Sequence, residues 1–236
     1  MELRDSLPSI GHSERERVDV WLLSTKIDAE QRAFYQRVLS TDERERAGRF
    51  RFPTDQDRFI VGRGGLRWIL SECMDVDGAK LLFRTGSHGK PFLVDYNSHV
   101  EFNVSHAGDC VLIGITQDAQ CGVDIELPHP RVPELEIAER FFCSREVEWM
   151  SRTKIGFTRL WTMKEAVMKA VGWGLSIPLN AIDMVDVAEG RTSKVVLEGA
   201  GLEPHELCLQ ELNLLKGYAA SVAVVGRERA VAIMPN

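Results

Sequence analysis

The sequence predicts an α+β protein made of two similar lobes, 1–118 and 119–236. The chain runs strand, helices, strands and then repeats that order, and its 236 residues, 44% of them hydrophobic, suffice for one large core or two small ones. No residue-level repeat accompanies the repeated order, and the lobes join near residues 117–120.

Val18 to Leu23 is rich in β-branched and apolar residues and reads as a strand, followed by a polar helix over about 28–39. Ser40 with Glu43 three residues on has capping-box spacing, which starts a helix toward Phe50. Pro53 and Thr54 break the chain before a longer helix, about 55–73, with Phe59, Leu66, Ile69 and Leu70 at helical spacing. Strands are predicted at 79–84, 100–104 and 110–116. The second half offers a strand at 121–126, helices at about 134–142, from a Ser144 cap, and at 157–171, then strands around 181–187, 194–197, 207–213 and 218–233 with a turn near Gly226.

Several classes are excluded. No apolar run reaches the roughly 18 residues of a membrane span. Met1 to Asp19 is too charged for a signal-peptide core, so the cytoplasm is the expected location. A formal charge of -6 argues against sequence-independent nucleic-acid binding. Five cysteines without a C-x-x-C pair read as buried thiols, and six scattered histidines lack structural-zinc spacing.

Four segments carry candidate chemistry. In Gly122-Val123-Asp124-Ile125-Glu126, strand alternation projects Asp124 and Glu126 from one face, which is half of a Mg²⁺ site or the solvent edge of an ordinary strand. In Trp161 to Ala170, Leu160, Met163, Val167 and Val171 gather on one helix face, with Glu165 and Lys169 opposite. That is a surface ion pair, or a third carboxylate with a phosphate-facing amine. Asn103 to Asp109 follows a short strand and puts Ser105 and His106 where they can meet an anion. It does not read as a nucleophilic hydrolase, because neighbours on an extended chain point apart and the G-x-S-x-G elbow is missing. The alternative is a polar turn with a structural histidine. Gly86 to Phe92 is a turn that can grip a flat ligand with Lys90 nearby, and it lacks P-loop spacing.

Taken together and in this order, GKP at 89–91, NVSH at 103–106, GVDIE at 122–126 and WTMKEAVMKAVGWGL at 161–175 resemble the 4'-phosphopantetheinyl transferases of the surfactin-synthetase-activating (Sfp) type. The resemblance spans about Ser40 to Pro178. It implies a pseudo-dimer of two α+β lobes within one chain, hence a monomer, with the active site in the cleft between a nucleotide-binding N-terminal lobe and a C-terminal lobe carrying the metal.

By resemblance, Asp124, Glu126 and Glu165 bind Mg²⁺, with Mn²⁺ as a substitute, and Asp124, Glu165 and Lys169 form the catalytic set. Lys169 contacts the pyrophosphate of the substrate coenzyme A. Gly89, Lys90, Pro91, Ser105 and His106 match coenzyme-binding positions, and Arg58 matches an arginine for the nucleotide's 3'-phosphate. The family type member has two lysines in the Ser40–Phe50 helix where this chain has Glu43 and Arg46, so only Arg46 carries over, with Arg44 or Arg49 as substitutes. The implied reaction moves phosphopantetheine from coenzyme A to a serine of an acyl or peptidyl carrier protein and releases adenosine 3',5'-bisphosphate. A Mg²⁺-dependent coenzyme A pyrophosphatase and a non-catalytic coenzyme- or carrier-binding module are the alternatives. Five basic residues (Arg140, Arg145, Arg152, Lys154, Arg159) against two acidic ones (Glu146, Glu148) make Arg140 to Arg159 the candidate docking stretch for an acidic carrier, or else a pair of solvated amphipathic helices.

Overall fold

The computed structural model describes residues 16–94, 99–153, 156–174, 178–199 and 202–235. The first half contains β1 (Arg17–Ser24), α1 (Ala29–Val38), α2 (Thr41–Gly48), α3 (Pro53–Met74), β2 (Leu82–Thr85), β3 (Pro91–Val94), β4 (Val100–Ala107) and β5 (Cys110–Gln117). The second contains β6 (Cys121–Glu126), α4 (Glu134–Phe141), α5 (Ser144–Ser151), α6 (Gly156–Val171), α7 (Val185–Ala188), β7 (Lys194–Gly199), β8 (Leu202–Glu211), β9 (Ala219–Val225) and β10 (Ala230–Ile233). Both halves use the residue types that local physics asks for. Ser40 and Glu43 close the capping box of α2, and Pro53 starts α3 where a missing N–H costs nothing.

Two four-stranded sheets run in the orders β10-β1-β5-β4 and β6-β9-β8-β7, with β2 and β3 as a separate hairpin. All pairings are antiparallel except β1 with β10, which run parallel, Arg17 opposite Ala230 and Val20 opposite Ile233. Helix α3 covers the first sheet through Val61, Leu66, Ile69 and Leu70, and α6 covers the second through Leu160, Met163 and Val167. A third cluster, with Val18, Val20, Leu112, Val123, Ile125 and Val222, joins strands of both sheets.

Several expectations change. The segment 181–187 is not a strand. It forms a turn and the short α7, where Asp183 and Asp186 pair with Arg145. The polar-turn alternative for Asn103 to Asp109 does not hold: the strand expected over 100–104 continues to Ala107, and the bend sits at Gly108, whose φ of 52° favours glycine. Residues 91–94 form a strand where the sequence predicts only the exit of a loop. The N-cap of α5 is Cys143, with Ser144 as its first helical residue. Of the five cysteines, Cys110, Cys121 and Cys208 are buried, whereas Cys73 and Cys143 are half-exposed. The charged start, Met1 to Arg15, lies outside the described residues, as do Lys154 and Leu175. No described helix is long and apolar enough to cross a membrane.

One backbone contact fixes the relation of α6 to its sheet. A Cβ on Gly122 would lie 2.1 Å from the carbonyl oxygen of Ala166 and 2.3 Å from the amide nitrogen of Ala170, so α6 rests directly on the β6 backbone. Gly122→Ala is expected to lower stability by about 1–3 kcal/mol, the usual scale of overpacking, read as a lower urea midpoint. The control is Gly48→Ala, where an added Cβ meets nothing within 4 Å and stability should hold or rise slightly. Equal midpoints for both variants would refute the close packing.

Candidate active site

Strand alternation in β6 sends Val123 and Ile125 into the core, both fully buried, and turns Asp124 and Glu126 the other way. Asp124 is not on a solvent edge, since only 2% of it is exposed. The Gly122 contact brings the α6 face bearing Glu165 and Lys169 over it, and Lys169 Nζ donates to Asp124 Oδ1 at 2.6 Å. Ser105, reaching across from β4, donates its hydroxyl to the same oxygen at 2.8 Å and accepts from Lys169 Nζ at 3.1 Å. Its β4 neighbour Asn103 accepts the Val123 N–H at 3.0 Å, so the NVSH segment fastens β4 to β6 through alternate side chains. Ser105 therefore serves the acidic centre, whereas His106, on the opposite face, lines a separate cavity. Asp124 Oδ2 is buried and has no hydrogen-bond partner among the described residues.

The carboxylates of this centre interact. Burial, then the charges of Asp124 and Glu165, push Glu126 up to about 7. Burial and the Asp124 charge raise Glu165, and burial raises Asp124 against the opposing pull of Lys169 and Ser105. The three do not form a closed cage. Among the described residues, the group of three metal-type side chains with all ligand atoms within 4.8 Å is Cys143, Glu146 and Asp183. There the cation is already supplied: Lys164, fully buried, places Nζ 2.9 Å from Glu146 Oε1 and donates to the Leu179 carbonyl at 2.7 Å. That buried pair ties α5, α6 and the 179–182 turn together beneath the site. No local pattern signals it, because Lys164 occupies an ordinary helical position beside Glu165.

Two cavities border the centre, and another adjoins the first of them. One of about 410 Å³ is lined by Gly89, Lys90, Pro91, Asn103, Glu165 and Lys169. A second, about 360 Å³, shares Pro91 and Val104 with it and is lined by Arg46, Arg58, Arg63 and His106 beside Phe50 and Phe59. A third, about 220 Å³ and mostly apolar, lies on the far side against Glu126, Leu127, Ile137, Phe157 and Trp161. The 86–90 turn joins β2 to β3, with Gly89 at a φ of 89° that favours glycine. Lys90 lines the first cavity, but its ammonium is committed to backbone, donating to Ala170 O at 2.8 Å and Cys121 O at 3.1 Å. It holds the turn against the end of α6, and burial lowers its pKa.

In the second cavity the Arg46 guanidinium lies over the Phe59 ring at 5.1 Å, and Arg58 pairs with Asp55 at 3.2 Å. Arg44 and Arg49 do not line it; Arg44 donates to the carbonyl of Leu39, the C-cap of α1, and Arg49 pairs with Glu45. Glu43, where the family type member carries a lysine, binds Arg63 and Arg67. The motifs do not single out Arg63. Its signal is its spacing, since it follows Phe59 by four residues on α3 and shares the cavity-facing side of that helix with it.

The comparisons with known proteins follow the same geometry. The family model "4'-phosphopantetheinyl transferase superfamily" matches residues 120–223, and "4'-phosphopantetheinyl transferase, N-terminal" matches 27–117. The 4'-phosphopantetheinyl transferase HetI of Nostoc sp. is 36% identical over 80% of this chain and 79% of its own. The chain belongs to the 4'-phosphopantetheinyl transferases. Sfp of Bacillus subtilis, another such transferase, is 32% identical over 71% of this chain and 75% of its own. The Synechocystis sp. protein slr0495 is 39% identical over 63% of each chain, so that match spans somewhat under two thirds of the relative. The stretch matched by the superfamily model contains Asp124, Glu126, Glu165 and Lys169, the charged residues of the acidic centre.

The docking stretch is less basic than its composition suggests. Arg145 pairs with Asp183 and Asp186, Arg152 with Glu148, and Arg159 with Glu211. Arg140 lies over the Phe141 ring at 5.1 Å.

The raised Glu126 sets a pH dependence. Its folded pKa, about 7, lies above the ordinary 4.5, so between these values the folded chain holds a proton that the unfolded chain has lost. Stability contributed by this group is therefore present below about pH 4.5 and lost as pH rises through 7. Urea midpoints in metal-free buffer should fall between pH 5 and pH 8, and Glu126→Gln should flatten that fall. An unchanged slope would contradict the assignment.

Proposed function

We propose that the protein transfers the phosphopantetheine arm of coenzyme A to a serine hydroxyl of an acyl or peptidyl carrier protein, releasing adenosine 3',5'-bisphosphate. The observation that carries this reading is the position of the Asp124, Lys169, Glu165 and Glu126 cluster: Glu165 and Lys169 border a cavity that adjoins the arginine-lined one through Pro91 and Val104, and Glu126 borders an apolar one. A substrate with a nucleotide at one end and an acceptor arriving from the other side would react there. The pseudo-dimeric reading is supported by the matching strand neighbours β1-β5-β4 and β6-β9-β8, each half beginning with a strand whose partner comes from that half's end.

In the step itself, the serine oxygen forms a bond to the phosphorus bearing pantetheine while the pyrophosphate P–O bond breaks toward the nucleotide. Glu165, with a raised proton affinity, takes the hydroxyl proton directly or through water. Lys169 places its ammonium on the pyrophosphate and neutralises or protonates the leaving phosphate. Ser105 and Asp124 hold that ammonium in place. Asp124, Glu126 and Glu165 suit a hard divalent cation, because Asp124 Oδ2 is buried without a partner among the described residues and burial, then the neighbouring carboxylate charges, raise the pKa values of Glu126 and Glu165. Mg²⁺ or Mn²⁺ held there supplies charge neutralisation to the pyrophosphate.

Hydrolysis of coenzyme A would use the same carboxylates, but family membership and the apolar cavity beside Glu126 favour a protein acceptor. Carrier docking on Arg140 to Arg159 is proposed from its place: Phe157 and Trp161 wall that cavity, and Leu135 is 53% exposed on α4 nearby. Because Arg145, Arg152 and Arg159 are already paired, apolar contact rather than net charge carries it.

Mass spectrometry of an apo carrier incubated with the protein, coenzyme A and Mg²⁺ should show the mass gain of the phosphopantetheine arm. An unmodified carrier with degraded coenzyme would instead identify a hydrolase. Lys169→Ala and Asp124→Ala should each slow transfer about 10²- to 10³-fold while remaining folded. Near-full rates in both would overturn their roles. For docking, Arg152→Glu should leave the carrier KM within about twofold, whereas Leu135→Asp should raise it about tenfold, a loss on the scale of one interface anchor. The reverse order would restore the charge-based reading.

A further inference from the structure

Polar pairs that join α6 to the sheet beneath it lie in one row. In the register of that sheet Asp124 of β6 stands opposite Ser221 of β9, which in turn stands opposite Glu211 of β8. Along α6, Lys169 meets Asp124, Thr162 meets Ser221 and Arg159 meets Glu211, and Ala166 rests on Gly122 between the first two. Positions 159, 162, 166 and 169 recur at helical spacing, so one stripe of the helix meets one row of the sheet.

These pairs differ in their surroundings. Arg159 and Glu211 are partly exposed, and water screens their ion pair. Lys169 is also partly exposed, and in the proposed reaction its ammonium must serve the pyrophosphate as well as Asp124. Thr162 and Ser221, by contrast, are 1% and 0% exposed, with their hydroxyl oxygens 3.2 Å apart. The Thr162 hydroxyl donates to the carbonyl of Arg159 at 2.9 Å, so its own proton is spent and Ser221 is the donor between the two.

Apolar contact holds α6 on the sheet but sets its fine rotation loosely. Met163 and Met168 are unbranched and adaptable, and Gly122, Ala166 and Ala170 offer a smooth surface. A hydrogen bond has direction as well as length, and in a water-free interface it resists displacement. Glu165 and Lys169 follow Thr162 within two turns of the same helix, so a rotation at 162 carries both charged groups with it.

Resting on the proposed function, we infer that Thr162 and Ser221 are positioning residues for the transfer: their buried hydroxyl pair sets the rotation of α6 that delivers Glu165 and Lys169 to the reacting phosphate. Neither residue lines the three cavities, so they act through those two groups and not on the substrate. The pair adds little net stability, because folding only exchanges its hydrogen bonds with water for one within the protein, and an apolar pair of similar shape can replace it. Its loss is therefore read in turnover and not in folding.

The test is steady-state transfer from coenzyme A to an apo carrier by the full chain in Mg²⁺, with urea midpoints measured alongside. Thr162→Val and Ser221→Ala should each lower kcat about 10- to 100-fold, the scale of a misplacement of about 1 Å, and leave the KM values for coenzyme A and carrier within about twofold. Thr162→Ser, which keeps the hydroxyl, should retain most of kcat. The double variant Thr162→Val/Ser221→Ala leaves no hydroxyl buried alone and covers the case in which a single variant does not fold. It should keep the wild-type midpoint and lose no more kcat than the worse single variant, because the two residues act as a unit. Near-full kcat in the double variant, or losses confined to KM or to the urea midpoint, would overturn the assignment while leaving the transfer reaction intact. A wild type that modifies no carrier would overturn the proposed function and this assignment with it.

Discussion

The backbone of α6 lies against the backbone of β6 at Gly122, and the rest of the site depends on that approach. Any side chain at 122 would hold the helix away, and the distance between β6 and α6 decides whether Lys169 can reach Asp124. With the two in contact, a strand of period two and a helix of period 3.6 present their polar faces to the same small volume. The apolar faces, Val123 and Ile125 on one and Met163 and Val167 on the other, are buried in separate cores and prevent either element from turning.

Burying Asp124 to 2% exposure needs compensation, because an isolated carboxylate loses its hydration. Lys169 and Ser105 provide part of it through one oxygen, and the other oxygen is left without a partner among the described residues. An arrangement built for stability alone would satisfy both. Around it Glu126 and Glu165 add charge of the same sign, which a divalent cation relieves. The Lys164–Glu146 pair solves a similar problem differently, with its donors and acceptors engaged within the fold, and it therefore reads as structure.

The site is readable in the sequence where local periodicity determines side-chain direction. The DIE alternation in β6, the opposition of Glu165 and Lys169 to the buried face of α6, and the Ser40 capping box all follow from spacing within a few residues. What depends on distant partners is not readable in that way. β10 is a short apolar strand whose pairing with β1 spans most of the chain, and nothing in its own residues names that partner. Residues 181–187 have strand-like composition, but Asp183 and Asp186 bend around Arg145. Lys90 and Ser105 sit where the motifs put them, yet their bonds go to protein backbone and to Asp124. Glu43 reads as a lost cation in the sequence, whereas in the fold Arg63 and Arg67 converge on it.

Cation binding to the free chain tests most directly whether Asp124, Glu126, Glu165 and Lys169 form one centre. Titration of Mn²⁺ followed by the loss of its free-ion paramagnetic resonance signal reads binding without any turnover. One ion should bind per chain, with affinity reduced at least about tenfold in Asp124→Asn, in line with the loss of a charged ligand. Undiminished binding in folded Asp124→Asn would mean that the ion sits elsewhere and that the carboxylate cluster is not the centre described.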